Sequence, residues 1–224
     1  MKESEPAKTL DGLQRKLRPF LQRRGFRVKR RTFNRTTADG LTQVVNFQMG
    51  TFDPPGTTYI PGLRENLYGK FTVNVGVHVP EVAQVHGGYR TRDFVREYGC
   101  CVRARLGQLG PEHEDRWWEI RDDEQIAAEL ELRLEQDAFP FLARFESRDM
   151  LLNEFSQMID EGVPGFVGGG PPRIICAIIL AARGQHKDAR ELLADQVRNS
   201  QTHPGHAEYV RTLTGKLGLK PLGV

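Results

Sequence analysis

Apolar positions recur along residues 9–24 as Leu10, Leu13, Leu17, Phe20 and Leu21, a stripe at the helical period that predicts an amphipathic helix. Pro19 lies within this stripe and predicts a kink or interruption, since proline removes a backbone donor and crowds the preceding turn. Gly25 supplies the stop. The period then changes from helical to two. Residues 26–37 read as a first strand, Asp39-Gly40 as hairpin chemistry and residues 41–49 as a second strand. Residues 50–69, rich in Pro, Gly and Thr, read as a loop. In residues 70–79, Phe71, Val73, Val75, Val77 and Val79 alternate with Thr72, Asn74, Gly76 and His78, the pattern of a half-buried strand, and Pro80 ends it. Residues 100–109 give a weaker fourth strand. Neighbouring strands joined by turn-like connections predict an antiparallel meander.

The second half returns to the helical period. Ile126, Leu130 and Leu134 form one stripe, which Pro140 is expected to break, and Phe141, Leu142, Phe145 and residues 150–159 continue as further helices. Residues 162–172 hold Gly and Pro almost throughout and read as a connector. Ile174, Ile175, Ile178, Ile179 and Ala182, then Ala189, Leu192, Leu193 and Val197, then Ala207, Val210, Leu213 and Leu217 predict a helical hairpin and a terminal helix over 173–219. The spacing Leu180-x3-Gly184-x4-Ala189-x3-Leu193 resembles a single tetratricopeptide-type unit, in which Gly184 makes the turn and Ala189 lets two helices approach. A stacked array needs about three such units. The expected fold is α+β: an N-terminal helix on a four-stranded antiparallel sheet over 1–120, followed by a helical region over 121–224.

With 38% apolar and 27% charged residues in 224, the composition is that of an ordinary soluble protein and excludes a disordered chain. No run of apolar residues is long enough to span a membrane, and residues 1–8 are polar with no apolar stretch after them, so no membrane partner and no secretory signal are expected. Three cysteines, Cys100, Cys101 and Cys176, make neither a disulfide framework nor a zinc pattern, which points to a reduced, cytoplasmic setting. The formal net charge of +3 conceals an asymmetry. Residues 8–35 carry eleven basic residues against Asp11 alone, a net of +10, and residues 112–137 carry eleven acids against three arginines, a net of −8. Arg23, Arg24, Arg27, Lys29, Arg30 and Arg31 form the dense part of the basic segment. Such a segment is either a nucleic-acid footprint or the complement of the acidic block in the same fold or on a partner, and the near-cancellation favours the second.

The strand alternation also places residues on the far side of the sheet. If the strands share register, Asn46, Gln48, Asn74, His78, Arg103 and Arg105 lie on one hydrogen-bonding, partly positive face. This is either the solvated side of an antiparallel sheet or a binding surface. Amides and a histidine are unusual strand formers, and Gly76 in mid-strand marks either a bulge or a close approach by a ligand or another backbone. Chemistry elsewhere is sparse. There is no nucleophile elbow, and Gly168-Gly169-Gly170 is followed by Pro171-Pro172 rather than by phosphate-loop residues, so it reads as a connector. His203 and His206, with Glu208 beside them, are the one close histidine pair and do not make a metal site. Cys100 reads as a small buried apolar residue. Glu112, Glu114 and Asp115 beside His113 read as solvated loop charges, and Trp117-Trp118 as one core indole and one covering a helix or an interface. No catalytic residue, metal or cofactor is assigned.

The series Leu17-x2-Phe20-Leu21-x3-Gly25-Phe26-x6-Phe33-x-Arg35, then Val44-Val45-Asn46-Phe47-Gln48, then Phe71-Thr72-Val73-Asn74-Val75-Gly76-Val77 resembles the bacterial domain-of-unknown-function family 4304 over roughly residues 9–110. The resemblance implies an α+β domain and transfers no activity and no catalytic residues. Its distinctive positions Asn46, Gln48, Asn74 and Gly76 are those that alternation assigns to the polar face. The leading expectation is a non-enzymatic binding protein, of antitoxin-like or immunity-like kind, that meets a protein partner through that face and the neighbouring basic first strand. Nucleic-acid binding through the basic 15–35 segment is the alternative. A third reading is a hydrolase-type enzyme with a site near His78 and Arg103, which requires a carboxylate to orient His78.

Overall fold

The structure, a computed structural model, describes residues 4–51, 53, 56–57, 66–86, 94–162, 170–200 and 203–222. The chain is α+β: an N-terminal helix, an antiparallel sheet and a helical C-terminal half. In chain order come α1 (Glu5–Arg23), β1 (Arg27–Lys29), β2 (Thr32–Thr36), β3 (Thr42–Met49), β4 (Lys70–His78), α2 (Pro80–Val85), β5 (Val102–Arg105), α3 (Leu106–Leu109), β6 (Trp118–Glu119), α4 (Glu124–Arg133), α5 (Phe139–Ala143), α6 (Arg148–Asp160), α7 (Pro172–Ala182), α8 (His186–Asn199) and α9 (Pro204–Lys216). The strand order is β1-β2-β3-β4-β5, with β6 also paired to β4. Positions 52, 54–55 and 58–65 of the expected loop, and 163–169 of the expected connector with its three glycines, lie outside the described residues. No described helix is long and apolar enough to cross a membrane.

Several elements depart from the sequence expectation for identifiable reasons. Helix α1 runs unbroken through Pro19, which is exposed and sits opposite the buried stripe, so the backbone bond it forfeits is on the solvent side. The first expected strand is two. β1 and β2 pair antiparallel with Val28 opposite Phe33 and Lys29 opposite Thr32, joined by Arg30 and Arg31. Arg30 supplies the positive φ, 55°, that a tight hairpin connection requires and that glycine or asparagine usually provides. The fourth expected strand ends at Arg105, where the chain leaves the sheet through α3 and rejoins it as β6 beside the start of β4, Phe71 opposite Trp118. Gly107 permits this excursion, since a Cβ there would stand 2.6 Å from the Glu114 carbonyl oxygen. A π-helical turn, Leu134–Ala138, carries the chain from α4 into α5, so Pro140 falls in the first turn of a new segment and does not end the helical run.

The chain forms two compact units. The first comprises Met1–Arg35, Gln43–Gly76 and Ala104–Ala143. Its core follows from the odd-numbered side of the strands. Phe33, Phe47, Phe71 and Trp118 form a ladder of rings across β2, β3, β4 and β6, with successive centroids 6.0, 6.4 and 5.9 Å apart. Leu10, Leu13, Leu17 and Leu21 of α1 are fully buried, as are Phe33, Phe71, Val73 and Val75. Burial of both stripes to that extent means that the helix lies along the aromatic face. Gln43 sits within this apolar layer, yet its polar groups are used: Oε1 accepts from Arg35 at 2.9 Å and Nε2 donates to the Leu142 carbonyl at 2.9 Å. Asp123 caps α4 by accepting from the Ile126 amide at 2.8 Å.

The second unit comprises Thr36–Thr42, Val77–Arg103 and Arg144–Val224. The Asp39-Gly40 turn forms as expected, with Gly40 at φ 78° and the Thr37 amide donating to the Leu41 carbonyl. Arg148 at the start of α6 clamps this turn to α2. Its guanidinium donates to both oxygens of Glu81, at 2.6 and 2.8 Å, and to Asp39 Oδ2 at 3.1 Å, while its backbone amide donates to Asp39 Oδ2 at 2.7 Å. The expected helical hairpin and terminal helix are present as α7, α8 and α9. Ile174, Ile175, Ile178 and Ile179, then Ala189 and Leu193, then Ala207, Val210 and Leu213 are buried, and Gly184 turns the chain at φ 78°.

Hydrogen bonds from Arg148 hold the Asp39 carboxyl below its ordinary range. Asp39 therefore adds stability that is complete above the unfolded carboxyl range, near pH 4, and is lost as the pH falls through the lower folded value. Chemical denaturation of Asp39→Asn against the parent should show a deficit at neutral pH that closes under strong acid. Arg148→Ala should lower stability by about 1–2 kcal/mol at neutral pH, because it leaves Glu81 without its guanidinium.

Candidate functional site

The even-numbered side of the strands in the first unit carries a second ladder, made of amides. Asn74 Nδ2 donates to Gln48 Oε1 at 2.8 Å and to Asn46 Oδ1 at 3.5 Å. Asn46 Nδ2 donates in turn to Thr32 Oγ1 at 2.9 Å and to the Arg31 carbonyl at 3.3 Å. The expected face thus brings Asn46, Gln48 and Asn74 together, and β1 extends it. Because Val28 is opposite Phe33 on the aromatic side, Arg27 and Lys29 fall on the amide side, opposite Asn34 and Thr32. This face is largely closed. Thr32 and Thr72 are fully buried, Asn34 is 2% exposed and Asn74 5%, whereas Gln48, Arg27 and Lys29 are exposed. The buried amides bond to one another, as polar groups out of contact with water must.

The other residues expected on this face have separate attachments. In the second unit, His78 is 4% exposed and its Nδ1–H donates to the Gly99 carbonyl at 2.8 Å. Arg103 ion-pairs with Glu97 in the same short turn, Glu97–Gly99. The carboxylate that an enzymatic reading needs behind His78 is a backbone carbonyl instead. In the first unit, Arg105 ion-pairs with Asp115 and lies over the ring of half-buried Trp117, 5.2 Å from its centroid. The three thiols lie in apolar surroundings that push their pKa values up, Cys101 and Cys176 each to about 12, so none is poised as a thiolate.

The two charged blocks are neutralised unequally. Most of the acidic block is occupied. Glu112 and Asp137 pair with Arg133, Glu129 with Arg116, Asp122 and Glu124 with Lys16, and Glu135 with Arg24. Glu112 is therefore an ion-paired group rather than a solvated loop charge, and Arg133 holds its carboxyl below the usual range. A cavity of about 160 Å³ beside Trp118 is lined by Leu106, Glu112, Glu114, Arg116 and Arg133, and both of its guanidinium groups are already committed to carboxylates.

In the basic segment, Lys8 pairs with Glu5, Arg31 with Asp11, and Arg24 lies over the Phe20 and Phe139 rings besides meeting Glu135. Lys16 and Arg24 reach the acidic block. Arg15, Arg18, Arg23, Arg27, Lys29 and Arg30 are exposed and make no ion pair or side-chain hydrogen bond among the described residues. Helix geometry explains the division except at Arg23. At 3.6 residues per turn, Gly12, Lys16 and Arg23 share one flank of α1. That flank faces the acidic block: a Cβ on Gly12 would meet Asp122 at 2.3 Å. Asp11, Gln14, Arg15 and Arg18 share the other flank, which faces the β1–β2 hairpin. There Gln14 Nε2 donates to the Arg30 carbonyl at 2.6 Å, and Arg31 donates to Asp11 and to the Ala7 carbonyl. The unneutralised cations thus surround the edge strand β1 from both sides of the sheet: Arg15 and Arg18 on α1 over the aromatic face, Arg27 and Lys29 on the amide face, and Arg30 at the turn. The hairpin tip that completes this edge was absent from the sequence reading, since Arg30-Arg31 carries none of the usual turn residues.

A family model described as a domain of unknown function (DUF4304) matches residues 62–144. This is the family that the motifs resemble. The matched segment includes Phe71 to Val77 and the whole of β6, and begins after the motifs of α1, β2 and β3. No curated protein and no solved structure matches the chain.

The two ladder amides at opposite extremes of exposure separate structure from surface. Asn74→Ala should cost about 1–3 kcal/mol in chemical denaturation, because it strips a donor from a buried network. Gln48→Ala should cost less, about 0.5–1.5 kcal/mol: it takes the 2.8 Å acceptor from buried Asn74, but Gln48 is exposed and water can enter in its place.

Proposed function

We propose that this chain is a non-enzymatic binding protein that takes a nucleic-acid backbone on the basic edge of its first unit. The observation that carries this reading is the unequal neutralisation: the acidic block is largely ion-paired, while Arg15, Arg18, Arg27, Lys29 and Arg30 stay exposed and unpaired on the two sides of edge strand β1 and at its turn. Four of the five are arginines, whose planar fork suits phosphate oxygens. Among the described residues the exposed large apolar side chains are Tyr68, Tyr98, Leu132, Met150 and Tyr209, and none belongs to α1, β1 or the β1–β2 turn. A protein–protein interface ordinarily has an apolar centre, whereas a phosphate backbone needs only charge and hydrogen bonds.

One observation favours a second reading, a protein partner on the amide face. Gln48 is exposed on the side of the sheet that also bears Arg27 and Lys29, so an acidic protein surface would find both charge and an amide there. In that case Gln48→Ala would weaken binding as much as Lys29→Gln does. A backbone binder would be indifferent to Gln48.

Titrating labelled DNA and RNA by fluorescence anisotropy over a salt series tests the leading reading. Five phosphate contacts predict a slope of log K against log salt of about −4 to −5 on duplex. The variant Arg15→Gln, Arg18→Gln, Arg27→Gln, Lys29→Gln should flatten most of that slope while keeping the parent's melting temperature. No measurable binding to either nucleic acid at low salt would end this reading.

A further inference from the structure

Arg30 stands out in the basic edge. It is exposed, sits at the tip of the β1–β2 hairpin and has φ 55°, one of two non-glycine residues with positive φ among those described. A side chain with a Cβ is disfavoured there, and glycine or asparagine would relieve the position. The tip is nonetheless held firmly. Gln14, itself buried, donates to the Arg30 carbonyl at 2.6 Å, and Arg31 is fastened to Asp11 at 2.5 Å and to the Ala7 carbonyl at 2.9 Å. The fastening fixes the backbone of the turn and leaves the Arg30 guanidinium unattached. Behind the tip, Arg27 and Lys29 sit two residues apart on the amide side of β1, and Arg15 and Arg18 lie on α1, over the other side of the sheet.

We infer that the β1–β2 hairpin enters a groove of double-stranded nucleic acid with Arg30 at its tip, while Arg15, Arg18, Arg27 and Lys29 seat on the phosphates alongside. This inference rests on the nucleic-acid reading above and narrows it to a duplex. β1 is the edge strand and β2 pairs onward to β3, so what meets the groove is the turn itself, with the Arg30 side chain as the inserted group. The fixed turn removes the cost of ordering the backbone, so that only the Arg30 side chain is immobilised when it meets a base edge. Single strands are held instead by stacking on aromatic side chains, and among the described residues no exposed aromatic residue lies on α1, β1 or the β1–β2 turn. The positive φ is then explained by function: the position keeps the one side chain that binding uses, at a cost in local strain.

The test compares a short DNA duplex, either of its single strands, and polyglutamate as an acidic polypeptide, by anisotropy or competition. The parent protein should prefer the duplex to the single strand by about tenfold or more, the discrimination one good arginine–base contact supplies. Arg30→Gly and Arg30→Asn should each abolish that preference while the melting temperature holds or rises by about 2–4 °C, as strain is released. Arg15→Gln should weaken duplex and strand alike. If the parent binds both nucleic acids and Arg30→Gly and Arg30→Asn keep the duplex preference, the hairpin inference is wrong and the backbone reading stands. Tighter binding of polyglutamate than of duplex, or no binding to any nucleic acid, overturns both. A fall in melting temperature on Arg30→Gly overturns the strain argument, and with it the role given to the tip.

Discussion

Strand β4 is buried on both of its faces, and the organisation of the first unit follows from that constraint. Its odd positions carry Phe71, Val73 and Val75, which need only apolar neighbours and find them in the ring ladder and in α1. Its even positions carry Thr72 and Asn74, which cannot be buried without hydrogen-bond partners. Thr72 donates to the Arg116 carbonyl at 3.0 Å, and Asn74 donates to Gln48 and Asn46. The ladder of amides is thus the condition for closing that side of the sheet. A face so occupied with itself has little left to offer a ligand, and the search for a binding surface moves to the unsaturated edge at β1.

Charge follows the same logic of saturation. Net charges of +10 and −8 invite the conclusion that the two blocks cancel by meeting each other. The cancellation is mostly arithmetical. Arg133 and Arg116, inside the acidic block, and Arg105, just before it, take up Glu112, Asp137, Glu129 and Asp115, and α1 turns only its Lys16 and Arg24 side toward that block. What is left is a surplus of cations on the opposite flank. A helix presents a side chain to one neighbour only, so angular position limits which partner each arginine can reach, although Arg23 stays unpaired on the flank that faces the block, and net charge per segment does not carry that information.

Periodicity carried much of the fold. The alternation in β4, the Asp39-Gly40 turn, the stripe of α1 and the three C-terminal helices are all legible as spacing, and the grouping of Asn46, Gln48 and Asn74 on one face follows from the same period of two. Legibility stopped where a single residue's conformation or a distant pairing decides the structure. Arg30 makes a turn without turn chemistry because Gln14 and Asp11, on another element, hold its own carbonyl and the side chain of Arg31. The two-residue strand β6 exists because Trp118 completes a ladder begun at Phe33, which local pattern does not reveal. Pro19 and Pro140 carry strong local signals that context overrides, one by facing solvent and the other by following a π-helical turn. His78 and Arg103 share the polar alternation, yet each is satisfied by the Glu97–Gly99 turn, a partner that periodicity cannot name.

The central claim is that the amide ladder is internal support and the basic edge is the contact surface. Hydrogen exchange of the full chain, followed by mass spectrometry with and without saturating DNA duplex, tests it most directly. The account predicts added protection in peptides spanning residues 15–31 and unchanged exchange in peptides spanning 42–49 and 70–78. Protection of 42–49 and 70–78 with none at 15–31 would contradict it.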